Sequence, residues 1–375
     1  MFTDAGSDIR VFIQTPCHRL RHQIPFGKTR VTATVNIIIC GFGNVGRNLA
    51  RLLEEKRATM AADYGWRPSL IGVAELDGSA THADGLSIPE VLRHFAQHGS
   101  LSEFPESGRP GWQGLDVLRN AEADVLIETT PTNIETGEPA LSHVRQALQR
   151  GMHVVSANKG PFIHAYRELR GLADQNRVQL KLSAAAAAAL PTLDVAQTCL
   201  AGAEILSIEG VLNGTSNYIL SRMRTQQEDF ATALQAAQLA GIAEADPRLD
   251  VEGFDTANKL ALIANITMGL NMTPADVKRS GISQVTPDEI QQATTTDHVI
   301  RLVGRVQRDN GNKPQATVAP EALPPDHPLV NVDGSEKGIT YATDTMDRIT
   351  VTGGKSDPLG AAAALLKDVI NIYAH

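Results

Sequence analysis

Four ionisable residues carry the side chains needed to oxidise an alcohol by hydride transfer: Lys159, Glu244, Asp255 and Lys259. That chemistry requires a group to take the hydroxyl proton, a cation beside the oxygen that becomes negative, and carboxylates to bind a substrate ammonium. Asp255 and Lys259 are four residues apart, so a helix would place them on one face. Such pairs are more often surface ion pairs, and Glu244 also suits a simple turn. A catalytic role for these residues therefore needs independent support from the rest of the sequence.

A glycine-rich turn supplies a first indication of a cofactor. It fits the pattern G-x-G-x-x-G and stands between a predicted strand at 35–40 and a predicted helix that reaches Arg57. In this context, bare backbone approaches a pyrophosphate at the positive end of a helix. The alternative is a merely tight turn, but the context favours a dinucleotide site. The predicted site comprises Gly41, Phe42, Gly43, Asn44, Val45 and Gly46.

An acidic residue bears on the choice of dinucleotide. Glu75 ends a second predicted strand at 69–74, where a carboxylate accepts a hydrogen bond from a ribose 2′-hydroxyl and repels a 2′-phosphate. Asp77 competes for this position, and the interval from Gly46 to Glu75 exceeds the usual spacing of about 20 residues. We therefore expect NAD or NADP as cofactor, with NAD favoured.

Short apolar runs alternate with helical patterns in the first half of the chain. Further strands are predicted at 123–128 and 153–156, with a helix at 141–150 between them. Alternation of this kind predicts an α/β fold with a Rossmann-type, doubly wound parallel sheet. Lys159 would then lie just past the carboxyl end of a strand, where ligands of such sheets bind.

The pattern changes after Lys181. Residues 184–189 are all alanine, and beyond Pro191 the sequence predicts a strand at 206–212, helices at 217–224, 230–239 and 256–268, and a final strand and helix at 349–352 and 361–372. Residues 311–338 are rich in Pro, Gly and Asp and are predicted to be loops. We expect a dinucleotide-binding domain at 35–172, completed by 350–375, and a second α+β domain at 173–349.

Composition excludes several classes of function. A net charge of −8 gives no basic surface for nucleic acid, and no apolar run approaches the roughly 20 residues of a membrane span. Cys17, Cys40 and Cys199 form no CxxC pair, which indicates a reducing compartment, the cytoplasm. Residues 1–34 lack the features of a secretory signal. We expect a flexible or mis-started extension there, and a targeting segment is the alternative, disfavoured by Asp4 and Asp8.

Four long motifs, in order, resemble homoserine dehydrogenases. They are residues 128–133 (Glu-Thr-Thr-Pro-Thr-Asn), 154–161 (Val-Val-Ser-Ala-Asn-Lys-Gly-Pro), 210–220 (Gly-Val-Leu-Asn-Gly-Thr-Ser-Asn-Tyr-Ile-Leu), and 237–247, which continues through Asp250, Gly253 and Asp255 to Lys259. The resemblance runs from about Val35 to the C-terminus. It implies the NAD(P)-dependent interconversion of L-homoserine and L-aspartate 4-semialdehyde, a step in threonine, methionine and isoleucine biosynthesis.

The same resemblance implies residue roles. Lys259 matches the residue usually assigned the proton transfer, Lys159 its partner, and Glu244 and Asp255 the residues that bind the amino acid. The family's cofactor contacts fall here on Thr130, Pro131, Lys159, Gly241 and Gly354. The resemblance also implies a homodimer built through the second domain. Because no appended regulatory ACT domain follows the last helix, we do not expect threonine feedback through such a domain.

One stretch departs from the family pattern. Where relatives carry a glutamate that helps to hold a monovalent cation, this chain has Ser183, and two glycines are replaced by Ala188 and Ala189. A hydroxyl carries no charge to offset the dehydration of a cation, so we expect no metal site or only a weak one here. The added methyl groups indicate either tolerated drift or a shifted substrate or impaired catalysis.

Two alternatives to this function remain open, and the departure at Ser183 motivates the first of them. The first is a related dehydrogenase that acts on a different small amino or hydroxy acid. The second is a catalytically silent NAD-binding paralogue, which the retention of both lysines and both carboxylates disfavours.

Overall fold

Two β-sheets organise the part of the chain that this computed structural model describes, residues 33–308, 313–354 and 357–374. The extension expected at 1–34 falls almost entirely outside these ranges, and Ala33 already begins the first strand. The expected Rossmann-type sheet and second α+β domain are both confirmed.

The first sheet is built from seven strands. These are β1 (Ala33–Cys40), β2 (Trp66–Ala74), β3 (Gly78–Leu86), β4 (Gly108–Pro110), β5 (Val125–Glu128), β6 (His153–Ser156) and β7 (Leu180–Lys181). Its strand order is β4-β3-β2-β1-β5-β6-β7, and β2, β1, β5, β6 and β7 run parallel. The flanking helices are α1 (Asn44–Glu55), α2 (Arg57–Thr59), α3 (Ile88–His98), α4 (Gly114–Asn120), α5 (Ala140–Gln149) and α6 (Gly160–Asn176).

Strand β1 lies at the centre of this sheet. Its β-branched residues Ile37, Ile38 and Ile39 are fully buried, as expected of a parallel strand covered by helices on both faces. The chain moves from β1 to β2 on one side and later to β5 on the other. Ligands of open α/β sheets bind at such a reversal, outside the carboxyl ends of the strands.

The second sheet holds six strands. They are β8 (Ile205–Val211), β9 (Val277–Arg279), β10 (Val299–Arg308), β11 (Pro314–Leu323), β12 (Lys337–Thr343) and β13 (Arg348–Gly353), in the order β13-β12-β8-β10-β11-β9. The later helices are α7 (Ser183–Ala187), α8 (Thr192–Asp194), α9 (Gly214–Gln226), α10 (Phe230–Leu239), α11 (Arg248–Val251), α12 (Phe254–Thr267), α13 (Pro287–Thr295) and α14 (Pro358–Tyr373). Helices α9, α12 and α13 pack against β10.

The loop prediction for residues 311–338 was wrong in part. Residues 314–323 form β11, which pairs with β10 along its whole length. Buried Ala316 and Val318 alternate with more exposed residues, which is the pattern of a strand. Strand β9 pairs only with residues 316–318, so Pro314 and Pro320 need no N–H donor on that side.

Helix α14 returns the chain to the first sheet. Its Leu365 and Val369 are buried in one apolar cluster with Leu49 and Leu53 of α1. Within the described ranges, none of the helices is both long enough and apolar enough to cross a bilayer.

Candidate active site

The predicted pair on one helix face lies at the start of α12. Gly253, at a φ of 75°, precedes the helix, and Asp255 and Lys259 project from its first turns. Lys259 Nζ lies 2.6 Å from Asp255 Oδ2 and donates a hydrogen bond of 3.0 Å to the carbonyl oxygen of Leu212. The two side chains are 13% and 16% exposed, so this is not a freely solvated surface pair.

Lys159 reaches the same carboxylate from the first sheet. It follows β6 at the N-terminus of α6, and its Nζ lies 3.5 Å from Asp255 Oδ1. Three of the four predicted residues therefore converge. Burial would raise the pKa of Asp255, but the ammonium groups of Lys259 and Lys159 outweigh burial and hold that pKa below its ordinary value. Asp255 is thus an anion placed between two cations.

An asparagine and a second carboxylate complete this cluster. Asn213 Nδ2 donates to Asp250 Oδ1 at 2.6 Å and to Asp255 Oδ2 at 2.9 Å, while Asn213 Oδ1 caps α9 by accepting from the Ser216 N–H. Burial, and secondarily the charge of Asp255, raise the pKa of Asp250. Sequence reasoning did not single out Asn213 or Asp250, although both stand in the motifs that carried the family resemblance.

Among the described residues, Glu244 forms no side-chain hydrogen bond or ion pair with Lys159, Asp255 or Lys259. It lies exposed in the loop between α10 and α11, and its carbonyl accepts a hydrogen bond from Gln238 Nε2 at 3.1 Å. Gly241, in the same loop at a φ of 69°, is also exposed and has no neighbour where a Cβ would stand. The loop thus leaves both predicted residues open to solvent.

The glycine turn between β1 and α1 has the close packing that its sequence predicts. A Cβ on Gly46 would stand 2.3 Å from the Gly41 carbonyl oxygen, whereas one on Gly43 would meet nothing within 4 Å. The ring of Phe42 packs edge-on against Phe95 in the core, and Asn44 Oδ1 accepts from an arginine side chain. The turn therefore offers backbone, with a half-buried Val45, to a ligand.

A cavity of about 520 Å³ opens beside this turn. It is lined by Gly41, Glu75, Thr130 and Pro131, among others. Glu75 Oε1 is buried there and has no hydrogen-bond partner among the residues the structure describes. Burial raises the pKa of Glu75, while the Phe42 N–H and the charge of Arg47 oppose that shift. A ribose hydroxyl would satisfy this oxygen, so the cavity fits a dinucleotide.

Thr130 and Pro131 are positioned by a buried pair behind them. Glu128 accepts from the Thr130 N–H at 2.8 Å and lies 2.9 Å from His143 Nδ1, and Asn158 Nδ2 donates to the Thr130 carbonyl at 3.0 Å. The thiol of Cys40 is within 4.8 Å of the same carboxylate and imidazole. Since both oxygens of Glu128 are already occupied, we regard this group as a support for the loop rather than a metal site.

The segment around Ser183 contains its own cation. Ser183 Oγ donates to Asp368 Oδ1 at 2.8 Å and accepts from Lys367 Nζ at 2.9 Å, and Lys367 also pairs with Asp194. Further along, Gly354, at a φ of 65°, packs so closely that a Cβ would stand 2.7 Å from the Leu190 nitrogen. An ammonium therefore stands beside the hydroxyl that replaces the family's glutamate.

Comparison with known proteins identifies the same family in both halves of the chain. The family model described as homoserine dehydrogenase matches residues 191–370, and the one described as homoserine dehydrogenase, NAD binding domain, matches residues 41–183. The chain is 38% identical to a homoserine dehydrogenase of Methanocaldococcus jannaschii over 90% of this chain and 98% of that protein. It is 35% identical to an NAD(+)-dependent homoserine dehydrogenase of Pseudomonas canavaninivorans over 90% of this chain and 96% of that protein.

Solved structures give a consistent result. A homoserine dehydrogenase from Thiobacillus denitrificans superposes with a TM-score of 0.77 at 27% identity, covering 92% of this chain and 74% of that one. A hyperthermophilic archaeal homoserine dehydrogenase in complex with NADPH also gives a TM-score of 0.77, at 25% identity, covering 90% of this chain and 97% of that one.

Proposed function

The chain belongs to the homoserine dehydrogenase family, and from this premise we propose how its residues carry out NAD(P)-dependent interconversion of L-homoserine and L-aspartate 4-semialdehyde. The observation that carries the proposal is the convergence of two lysines, Lys159 and Lys259, on the carboxylate of Asp255. Lys159 follows β6, and the neighbouring strand β5 leads directly to the nucleotide cavity at Thr130.

Lys259 is the proposed proton acceptor in alcohol oxidation. In its neutral form, the Lys259 amine takes the proton from the substrate hydroxyl, and in the reverse direction the ammonium returns that proton to the oxygen. Asp255 and the Leu212 carbonyl hold the amine in place, and Lys159 supplies positive charge beside the oxygen as it becomes negative. The nicotinamide dinucleotide, when bound, supplies the acceptor for the hydride.

Carboxylates bind the substrate ammonium in this proposal. Asp255 is an anion at the centre of the cluster, and Asp250 lies beside it on Asn213. Glu244 belongs to the same group by resemblance, and because its loop is exposed here, we propose that the loop closes over the amino acid. Gly241, with a positive φ in that loop, supplies backbone freedom for this movement.

We also propose that the enzyme uses NAD in preference to NADP. The support is the buried Glu75 Oε1, which accepts from a ribose hydroxyl and opposes a phosphate at the same place. The contacts to the dinucleotide are assigned to the turn Gly41–Gly46, to Thr130 and Pro131, and to Gly354. Replacing Glu75 with Gln should lower the ratio of NAD to NADP turnover by about 10-fold, measured as kcat/KM with each nucleotide.

The proposal also covers the domain boundaries, the oligomeric state and the cellular location of the protein. We propose a dinucleotide-binding domain at 35–172 with 350–375 and a substrate-binding and dimerisation domain at 173–349. A homodimer is supported by Leu206, which is 45% exposed although it lies on β8, an interior strand of its sheet. A cytoplasmic location is supported by the free thiols of Cys40 and Cys199. Light scattering of the purified protein and cell fractionation test these two points.

Steady-state kinetics test the activity. We expect reduction of NAD with L-homoserine and a much lower kcat/KM with related hydroxy amino acids, with either nucleotide. Potassium or sodium should change the rate little, because an ammonium already stands at Ser183. A higher kcat/KM with another amino or hydroxy acid would indicate a related dehydrogenase with a different substrate. Nucleotide binding without turnover of any alcohol would indicate a catalytically silent NAD-binding paralogue.

A further inference from the structure

A third lysine lies beside the cluster of Lys159, Asp255 and Lys259. Lys337 is the first residue of β12, and the next residue, Gly338, pairs with Val211 of β8. In this antiparallel register Lys337 stands beside Leu212, whose carbonyl accepts the hydrogen bond from Lys259. The strand pairing therefore brings Lys337 next to the backbone that holds the proposed base.

The ammonium of Lys337 is buried without an anion. The residue is 1% exposed, and its Nζ donates to the Ala187 carbonyl at 2.7 Å. No carboxylate of the described ranges forms an ion pair with it, whereas Lys159 and Lys259 share the carboxylate of Asp255. A buried charge with no counter-ion destabilises the folded protein. Among these three lysines, Lys337 is thus the one that gains most from an anionic ligand.

The charges that act on Lys337 are largely those of the cluster of Lys159, Asp255 and Lys259. Burial lowers the pKa of Lys337 to about 7, and the like charges of Lys259 and Lys159 act in the same direction. Asp255 and Asp357 oppose this lowering. The ammonium therefore feels both lysines and the shared carboxylate of the proposed site, and an anion bound among them would favour its protonated form.

The substrate supplies such an anion. Homoserine carries an ammonium and a carboxylate on the same carbon atom, so a site with Asp250 and Asp255 for the ammonium needs a cation close by. We propose that Lys337 binds the α-carboxylate of the amino-acid substrate and thereby selects α-amino acids over simple amino alcohols. This inference rests on the proposed function, since it names the part of homoserine that Lys337 recognises.

A substrate without the carboxylate separates this role from others. Calorimetry on the enzyme–NADH complex measures the binding of two ligands, L-homoserine and 3-aminopropan-1-ol. The second ligand is homoserine without its carboxylate. Lys337→Met should weaken homoserine binding by at least about 30-fold, as expected for loss of one partner of a buried charge pair. Binding of 3-aminopropan-1-ol should change by less than about 2-fold on the same argument.

A second variant and a control distinguish loss of the Lys337 charge from a general structural effect of the substitution. Lys337→Gln keeps an N–H donor for the Ala187 carbonyl but has no charge, so it should lose homoserine as Lys337→Met does. Lys278→Met, which removes an exposed lysine on β9, should change nothing. The affinity for NADH should be equal in all four proteins.

Three outcomes would overturn the inference. Equal loss of both ligands would indicate a structural role, and a matching loss of NADH affinity would assign Lys337 to the cofactor. Unchanged homoserine binding would mean that the carboxylate lies elsewhere, for example at the N-terminus of α9. Failure of the proposed function is a different result: the unmodified enzyme would then neither bind nor oxidise homoserine.

Discussion

Lys259 is held at one position by two acceptors, the carboxylate of Asp255 and the carbonyl of Leu212. Replacing it with Met removes the amine while keeping a similar side-chain volume. We expect kcat for homoserine oxidation to fall by about 10²- to 10⁴-fold, the usual contribution of a general acid or base. The dissociation constant of NAD, measured by fluorescence titration, should stay within about 2-fold, because its proposed contacts lie on other elements. A variant that keeps most of its turnover would contradict the assignment.

Lys337 gives a pH dependence of stability whose sign is fixed by its burial. Its pKa in the folded protein is lowered to about 7, so between pH 7 and the ordinary range of a lysine the unfolded chain binds more protons than the folded one. The resulting cost is fully present below about pH 7 and is lost as the pH rises. Lys259, Lys159, Asp255 and Asp357 are the charges that face this group.

Lys337→Met should therefore be more stabilising at pH 6.5 than at pH 9.5 relative to the unmodified protein. Urea unfolding at both values measures the difference, with Lys278→Met as the exposed control. The inference about Lys337 would be wrong if the stabilisation by Lys337→Met were larger at pH 9.5 than at pH 6.5. It would also be wrong if Lys278→Met showed the same change in unfolding free energy between the two pH values.

Residue-level reasoning from sequence found the centre of the site but not its surroundings. The spacing of Asp255 and Lys259 predicts one helix face, and the motif at 154–161 places Lys159 past a strand, so their meeting could be expected. Lys337 gave no such signal, because a lone lysine among glycine, serine and acids is normally exposed. Its burial depends on the pairing of β12 with β8 and on the approach of Ala187.

At the level of elements, the turn between β1 and α1 depends on two glycines for different reasons. A Cβ on Gly46 would collide with the Gly41 carbonyl inside the protein, whereas a Cβ on Gly43 would enter open space. Gly46→Ala should therefore lower the melting temperature of the protein without any ligand. Gly43→Ala should leave that temperature unchanged but weaken NAD binding, because a pyrophosphate approaches bare backbone there.

Thermal unfolding with and without NAD distinguishes these two cases. NAD at a fixed excess should raise the melting temperature less in Gly43→Ala than in the unmodified protein. Equal melting temperatures and equal NAD shifts for both variants would mean that the turn is not close-packed around a ligand.

Strands could be predicted from the sequence where both of their faces are buried. Parallel strands such as β1 and β6 contain short runs of buried β-branched residues, and α12 and α14 show helical periodicity, so all four were found. Strands β3 and β11 were among those that the sequence analysis missed. Strand β3 (Gly78–Leu86) is made of small and polar residues, and it pairs antiparallel between β2 and β4. Strand β11 contains prolines that read as loop signals, and only its pairing with β10 compensates for them.

At the level of the whole molecule, the site exists only where the two sheets meet. Lys159 belongs to the first sheet and Asp255 and Lys259 to a helix packed on the second, so neither sheet holds the cluster alone. One apolar core joins them, since Ile38 and Leu126 of the first sheet are in the same buried cluster as Leu260 and Tyr341 of the second. Relative movement of the sheets would thus change the distance from nucleotide to substrate.

This shared core predicts that the described part of the chain unfolds as one unit. Helix α14 follows the second sheet but packs on α1 of the first, which ties the two ends of this part together. Both tryptophans, Trp66 and Trp112, lie with the first sheet, so their fluorescence reports on that sheet, whereas far-ultraviolet circular dichroism reports on the whole chain. The two signals should give the same urea midpoint, and Leu365→Ala in α14 should move both midpoints together, with a loss of about 2–5 kcal/mol. If fluorescence changed at a lower urea concentration than circular dichroism, the first sheet would be an independently unfolding domain, and the geometry of the cluster would not be fixed by the fold.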